Sequence, residues 1–345
     1  MMQERKEEYA RTKPTRDLAV WAAAFVLSLA QWHHVVSFFG DDLLGIIKAE
    51  QGILDGYPHW RVVQSRVLGP WLEKYLSLLF GFDLRHAHIL IAIAVLTLCG
   101  VVMFYAGRAI GGRQSGWSAL LAFQVLFTLM MARPWLYIYD YFVLLAAAVF
   151  MLLMIRRAPW WSFLLLMSVA FLNHDSALFI GVWMVAKAPA DAWAERRRPD
   201  WGMLGGGILG SLGGILLMEY LRMSLLKGET GWELARLKPP TNPNPHYFFF
   251  LRLHDNLHFI YSSIVSPQHV RQFVIPLPLV WALALAVILV VRHGMKATPL
   301  AVYAVTAVTA LLCFAIMEET RDFLQLVPFL CLGGMLAAKP KWDTT

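Results

Sequence analysis

Four short polar clusters interrupt an otherwise apolar chain and hold the side chains best suited to chemistry. They are Asp41-Asp42, the turn from Arg133 to Asp140, Asn173-His174-Asp175 and Glu318-Glu319-Thr320-Arg321. Each cluster lies at the end of an apolar segment, and an ionisable side chain in the middle of a bilayer costs about 2.5 to 3.5 kcal/mol. Carboxylates, guanidinium groups and an imidazole placed in this way predict one shared polar site at a membrane surface.

The first cluster offers a general base. Asp41 and Asp42 follow Gly40 at the end of the first apolar segment. A carboxylate is ionised at neutral pH and can draw a proton from a hydroxyl group. Neighbouring side chains on a helix point about 100° apart, so we expect one of the two to face the site. Capping of the following helix by an aspartate is the alternative interpretation.

Four arginines are candidates to bind an anionic substrate. Arg61 and Arg66 follow the aspartate pair in the chain, whereas Arg133 and Arg321 belong to two later clusters. A guanidinium group binds a phosphate as a planar fork of hydrogen-bond donors. Arg61 and Arg66 could instead reach out to ordinary lipid headgroups, which is the structural alternative for these two.

The two middle clusters add an imidazole and two carboxylates. Asp140 begins an apolar helix, so it needs a counter-charge such as Arg133. His174 and Asp175 lie in the middle of a long apolar run, where a broken helix lining a cavity would let them contact phosphate or hydroxyl groups. Structural capping is the alternative. No third and fourth ligand follows at helical spacing, so no metal ligand is assigned, although a divalent cation could help to hold a phosphate.

The last cluster combines acidic and basic groups. Glu318 and Arg321 are three residues apart and could form an ion pair on one helix face. An arginine oriented by that pair would also bind an anionic leaving group. We predict catalytic roles for Asp41 and Asp42, and substrate-binding roles for Arg61, Arg66, Arg133, Asp140, His174, Asp175, Glu318, Glu319 and Arg321.

The composition indicates a polytopic membrane protein. Of 345 residues, 58% are hydrophobic and only 15% are charged, and apolar runs recur from Leu18 almost to the C-terminus. The formal net charge of +7 does not indicate nucleic-acid binding, because the basic residues are scattered in small groups at the ends of apolar runs. We therefore expect membrane lipids, and not nucleic acid, as partners. The three cysteines all lie in apolar runs and predict no disulfide framework.

The predicted fold is an all-α transmembrane bundle of about ten membrane helices. The stretch 160–186 is too long for one span and carries Asn173-His174-Asp175 at its centre, so we predict two short helices that meet there. Amphipathic patterns in the first external loop predict further helices that lie in the membrane interface. The other spans are predicted at 18–39, 88–107, 115–132, 138–155, 203–222, 273–291, 297–316 and 322–338.

Lysine and arginine residues predict the orientation, because short cytoplasmic loops retain them. They place the two tails, 1–17 and 339–345, in the cytoplasm, with an integral membrane domain over 18–338. Two long external loops follow, at about 40–87 and 223–272, and long loops often carry function. All four polar clusters then face the external side. We expect the protein in the inner (plasma) membrane of a bacterium.

The order of these features resembles that of the type C membrane glycosyltransferases. The features are an aspartate pair after the first helix (Asp41, Asp42), a basic and proline-bearing stretch (Arg66, Pro70), a half-helix break and, more loosely, the final Glu-Arg loop. The resemblance implies a sugar donor linked to a polyprenyl phosphate and an acidic residue of the first external loop that activates the acceptor. It places the base at Asp41 or Asp42, and phosphate contacts at Arg66 and Arg321.

These observations predict a glycosyltransferase that moves a sugar from a polyprenyl-phosphate carrier to an extracytoplasmic glycan, lipid or protein. One carboxylate acting in a direct displacement implies inversion at the anomeric carbon. The alternative is a transporter or flippase of a lipid-linked glycan, in which the same charges bind substrate during alternating access. A scaffold in an envelope assembly complex is a third interpretation, and it would leave the acidic clusters without a catalytic role.

Overall fold

The computed structural model describes residues 2–59, 61–131, 135–227, 252–265, 274–317 and 319–339. These ranges contain helices and no strand, which confirms the all-α prediction for this part of the chain. The α-helices are α1 (Met2–Phe39), α2 (Leu43–Asp55), α3 (Leu68–Phe80), α4 (Leu84–Met130), α5 (Ile138–Ile155), α6 (Trp160–Phe171), α7 (Leu178–Glu195), α8 (Trp201–Leu225), α9 (Leu253–Val265), α10 (Leu277–His293), α11 (Thr298–Phe314) and α12 (Val327–Ala338). Short 3-10 segments lie at Gly40–Asp42, Arg61–Ser65, Asp175–Ala177, Gly294–Lys296 and Thr320–Leu326.

Six helical segments in the described ranges are long and apolar enough to cross a membrane, fewer than the ten predicted. They are Asp17–Phe38, Leu84–Met130, Ile138–Ile155, Trp201–Leu225, Leu277–Lys296 and Thr320–Ala338. The predicted spans 88–107 and 115–132 are two arms of α4, which is bent where Gly111 and Gly112 leave helical geometry. Helices α6 and α11 are apolar but shorter than a usual span. The membrane character of the chain is thus supported, and the full count of ten is not.

The predicted break in the segment 160–186 is present. Helix α6 ends at Phe171, the 3-10 turn Asp175–Ala177 follows, and α7 begins at Leu178. The broken ends are bonded to the loop predicted to be the first external one, because the Leu68 backbone N–H donates to the Leu172 carbonyl at 3.0 Å. The break therefore brings the third polar cluster next to the loop that carries Arg66.

Helices α2 and α3 occupy the loop where interfacial helices were predicted. They do not only lie at the interface, because each has a buried face that packs on α4 or α5. Ile46 and Ile53 are buried on α2, and Gly69 lies so close to α5 that a Cβ there would meet the Ile138 side chain. The loop is thus part of the folded core that positions the site.

The two ends of the bundle differ in charge. At one end Arg108 faces Asp17 at 3.9 Å, and Arg156 lies within electrostatic range of the same group of residues. Arg292 lies among the predicted cytoplasmic residues and donates to the Ala337 carbonyl at 2.5 Å. The break after α6 and the start of α5 lie at the opposite end of their helices. These basic residues therefore lie at one end of the bundle, and the polar clusters at the helix break and at the start of α5 lie at the other.

Small residues allow α8 to approach its neighbours closely. A Cβ added at Gly207 would come within 3.0 Å of the Gly181 carbonyl on α7, and one at Gly214 would overlap the Phe171 ring on α6. No atom of the described residues lies within 4 Å of the corresponding position at Gly213. Close packing of small residues is a common way to join helices where lipid gives no hydrophobic driving force.

We expect Gly214→Ala to destabilise the protein and Gly213→Ala, its neighbour on the open face, to leave it unchanged or slightly more stable. The added methyl at position 214 must displace the Phe171 ring, at a typical cost of about 1 to 3 kcal/mol for overpacking. Both changes gain the same helix propensity, about 1 kcal/mol. Thermal unfolding in detergent measures the difference. Equal midpoints for the two variants would contradict the close packing.

Candidate functional site

Two arginines and three aromatic rings form the centre of the candidate site. Tyr137 and Tyr139, which we call the tyrosine stack, are parallel with ring centroids 5.0 Å apart. The His59 ring also stacks on Tyr137, with ring centroids 5.0 Å apart. The guanidinium of Arg66 lies 4.8 Å from the Tyr139 ring centre, and that of Arg321 lies 4.7 Å from the Tyr137 ring centre. Cation–π contacts of this kind hold both guanidinium groups in place.

Asp140 provides the negative charge between these arginines. Its side chain is 5% exposed, and its Oδ2 accepts a hydrogen bond from the Tyr137 backbone N–H at 2.9 Å. Arg321 and Arg66 both lie within electrostatic range of it, as does His174. The predicted need for a counter-charge is met by Arg321 and Arg66, whereas the predicted partner, Arg133, lies outside the described residues.

The helix break adds a contact between a carboxylate and an imidazole. Asp175 Oδ1 lies 2.7 Å from His174 Nδ1. Burial would raise the pKa of Asp175, but interactions with His174, Arg66 and Arg222 outweigh it and hold that pKa well below its usual range. Arg222, near the end of α8, is itself bonded to Glu219 at 2.6 Å. Asp175 is therefore an ionised ion-pair partner and a weak base.

The two terminal nitrogens of the Arg321 guanidinium differ in their hydrogen bonding. Its Nη2 donates to Glu319 at 2.5 Å, whereas the predicted partner, Glu318, lies outside the described residues. Asp322, the next residue, is also within electrostatic range of Arg321. The Arg321 Nη1 atom is buried and has no hydrogen-bond partner among the described residues. A buried guanidinium donor of this kind costs free energy until an acceptor arrives.

His59 contributes an uncharged ring to the site. Burial lowers its pKa, and the positive charges of Arg321 and Arg66 lower it further, to about 3. The imidazole is therefore neutral at physiological pH, because it would have to be protonated beside two cations. It extends the tyrosine stack without adding a third positive charge.

The structure brings six of the predicted site residues together and leaves the others apart or undescribed. The six are Arg66, Asp140, His174, Asp175, Glu319 and Arg321. Asp42 is half-buried in the 3-10 turn after α1, makes no side-chain capping bond, and forms no ion pair with the described residues of the site. The side chains of Asp41 and Arg61 lie outside the described part. Their predicted roles stay predictions.

A second polar group lies behind the tyrosine stack, and the sequence analysis missed it. His88 Nδ1 lies 2.7 Å from Glu73 Oε1 and 3.2 Å from Glu50 Oε2, and all three side chains are fully buried. We call this group the Glu50–Glu73–His88 triad. Glu50 Oε1 also accepts the Ile138 backbone N–H at 2.5 Å, which joins the triad to the start of α5. The three residues lie on different helices, so no local spacing in the sequence could reveal them.

The triad is the one group of described residues with the donor set of a metal site. Its ligand atoms all lie within 4.8 Å of one another, and two carboxylates with an imidazole suit a divalent cation such as zinc or manganese. Protons can neutralise the same charges. Burial and the charge of Glu50 raise the pKa of Glu73 to about 8, although His88 opposes the shift. These residues could therefore hold a divalent cation, or a proton in its place.

We expect Glu73 to make the protein less stable as pH rises from about 5 to 8. Its pKa is about 8 in the folded state and about 4.3 unfolded, so the folded state binds the extra proton and loses that advantage as pH approaches 8. The slope from one group is at most about 1.4 kcal/mol per pH unit. Glu73→Gln should flatten it, as measured by unfolding with a metal chelator present. Asp83→Asn is the control, because hydrogen bonds from His86 lower the pKa of that exposed aspartate. A slope unchanged by Glu73→Gln would contradict this protonation.

Comparisons with protein-family models and with curated proteins name no relative of this chain. No protein-family model matches the chain, and no curated protein matches it significantly. The function is therefore inferred from the residues and their geometry.

Proposed function

We propose that this protein is a membrane glycosyltransferase that uses a sugar donor linked to a polyprenyl phosphate. The observation that carries the proposal is the pair of guanidinium groups fixed on the tyrosine stack, with the buried Arg321 Nη1 lacking a partner among the described residues. A phosphate oxygen is a strong acceptor for such a donor. The site lies at helix ends in an apolar bundle, where a lipid-borne phosphate can reach it.

The two arginines suit the leaving group of the transfer. Negative charge grows on the phosphate oxygen as the sugar departs, and fixed cations stabilise that charge without reorganising during the reaction. Arg66 and Arg321 are already oriented by ring contacts and by Glu319. The proposal assigns to these two side chains the contact with the donor phosphate.

The acceptor hydroxyl needs a base, which we assign to Asp41 or Asp42. The carboxylates in the cluster are poor candidates, because Asp140 lies between arginines and Asp175 is paired with His174. Among the described residues Asp42 makes no side-chain capping bond at the start of α2, so helix capping does not account for its carboxylate. One base and a direct attack on the anomeric carbon give inversion.

The distribution of basic residues supports an external site. Arg108 and Arg292 belong to the end of the bundle away from the polar cluster, and short cytoplasmic loops are enriched in such residues. We therefore place the active site on the external face, with the N-terminus in the cytoplasm, and propose an extracytoplasmic glycan, lipid or protein as acceptor.

We expect Arg321→Gln and Arg66→Gln each to weaken binding of a short prenyl phosphate by about 10- to 100-fold, the loss of roughly 1.4 to 2.7 kcal/mol of charge-assisted bonding. Citronellyl phosphate titrated into the full chain in lipid nanodiscs gives the dissociation constants by calorimetry. Arg108→Gln, half-exposed at the other end, is the matched control and should bind normally. Equal affinity in all three variants would disprove the phosphate assignment.

Asp41→Asn or Asp42→Asn should reduce sugar transfer by at least about 100-fold while citronellyl phosphate still binds, because general-base catalysis typically contributes that much or more. Transfer is followed by mass spectrometry of lipid-linked sugars in a deletion strain that carries each variant. Accumulation of the donor lipid is the expected signature. Normal turnover by both single variants and by the double variant would rule out this base.

A further inference from the structure

A small cavity adjoins the charged site on its inner side. It has a volume of about 20 Å³ and lies between α5, the helix break, α7, α11 and the 3-10 segment that carries Arg321. The polar residues that line it are Asn173, His174, Ser176, Tyr303 and Gln325. His174 also faces Asp140 in the site, so one side chain belongs to both.

Two buried acceptors in this cavity lack donors. Asn173 is 2% exposed and Gln325 is 7% exposed. The Asn173 amide nitrogen donates to the Tyr139 carbonyl at 2.8 Å, which leaves its Oδ1 without a partner among the described residues. Gln325 Oε1 is likewise unpaired within that part of the chain. A buried polar atom left without a hydrogen bond costs about 1 to 3 kcal/mol, so each calls for a donor.

The remaining walls are apolar and fix the size of the occupant. Alanine side chains, together with the stacked rings of Phe150 and Tyr303 with centroids 4.8 Å apart, form most of them. A water molecule needs about 10 to 15 Å³ of such space, so the cavity has room for a hydroxyl group and not for a whole sugar ring. An occupant must therefore be as small as a hydroxyl group or a water molecule and must donate a hydrogen bond beside apolar walls. A hydroxyl group at the edge of a sugar ring meets both requirements.

We propose that this cavity receives one hydroxyl group at the edge of the donor sugar, which donates its single hydrogen to Gln325 Oε1. The inference rests on the proposed function and assigns the sugar side of the same donor. Gln325 follows Arg321 by four residues in one 3-10 segment, so phosphate and sugar contacts come from a single rigid element. Asn173 is held to the tyrosine stack by its bond to Tyr139.

The test compares citronellyl phosphate with citronellyl phosphate esterified to a hexose or a pentose. Calorimetry on the full chain in nanodiscs should give at least one sugar ester that binds about tenfold more tightly than the bare phosphate, as expected for one added hydrogen bond. Gln325→Met keeps the side-chain volume and removes the acceptor, so the preference should fall below about threefold. Ala146→Leu, which fills the cavity, should have the same effect.

Two controls separate this inference from the proposed function. Bare phosphate should bind both variants normally, and Gln124→Met, at a half-buried glutamine on α4, should keep the full sugar preference. If the phosphate binds and neither sugar ester binds more tightly, a water fills the cavity and only this inference fails. A full preference in Gln325→Met and Ala146→Leu would also overturn it. If no probe binds, the proposed function fails, and this inference with it.

Discussion

The buried charge of Asp140 is the constraint on which the rest of the site depends. A carboxylate at the start of an apolar helix requires compensation, and two guanidinium groups lie in range of it. The same carboxylate accepts the Tyr137 backbone N–H, so it also fixes the chain just before α5. Without that charge Arg66 and Arg321 would repel each other across the tyrosine stack. One side chain therefore holds the helix start, the rings and the cations in a single arrangement.

The first turn of α5 is also fixed by a hydrogen bond to the buried Glu50–Glu73–His88 triad. A helix start leaves four backbone N–H groups without partners inside the helix. In this protein Asp140 accepts one from Tyr137, and Glu50 of the buried triad accepts the next, from Ile138. The position of the tyrosine stack thus depends on α2, α3 and α4, although none of them contributes a ring to it. This explains why a loop predicted to lie at the membrane surface is packed into the core.

Local patterns in the sequence predicted the elements, and contacts between distant residues decided the rest. Helix α5 and the break near Asn173 followed from apolar length and a polar interruption, both of which are local signals. The triad could not be found, because Glu50 and His88 are 38 residues apart on different helices. The predicted pairing of Arg321 with Glu318 stays a prediction, because Glu318 lies outside the described residues. The bond from Arg321 to Glu319, two residues before it, was not predicted, because helical spacing was assumed where the segment is a 3-10 turn. The apolar composition of a segment did not reveal whether its helix is long enough to span a membrane, as α6 and α11 show.

The two carboxylates near Arg321 differ in how freely they can move, because Asp140 is buried and Glu319 is partly exposed. Asp140 is almost fully buried, so it cannot leave its arginines without being stranded in an apolar environment. Glu319 has a side chain that is 37% exposed, so it can turn towards water when another anion approaches Arg321. A phosphate would then meet a guanidinium already oriented by Tyr137, and little ordering would remain to oppose binding. The exchange of one exposed carboxylate for a phosphate would leave the net charge of the cluster nearly unchanged, which would allow an apolar bundle to admit the anionic donor that we propose.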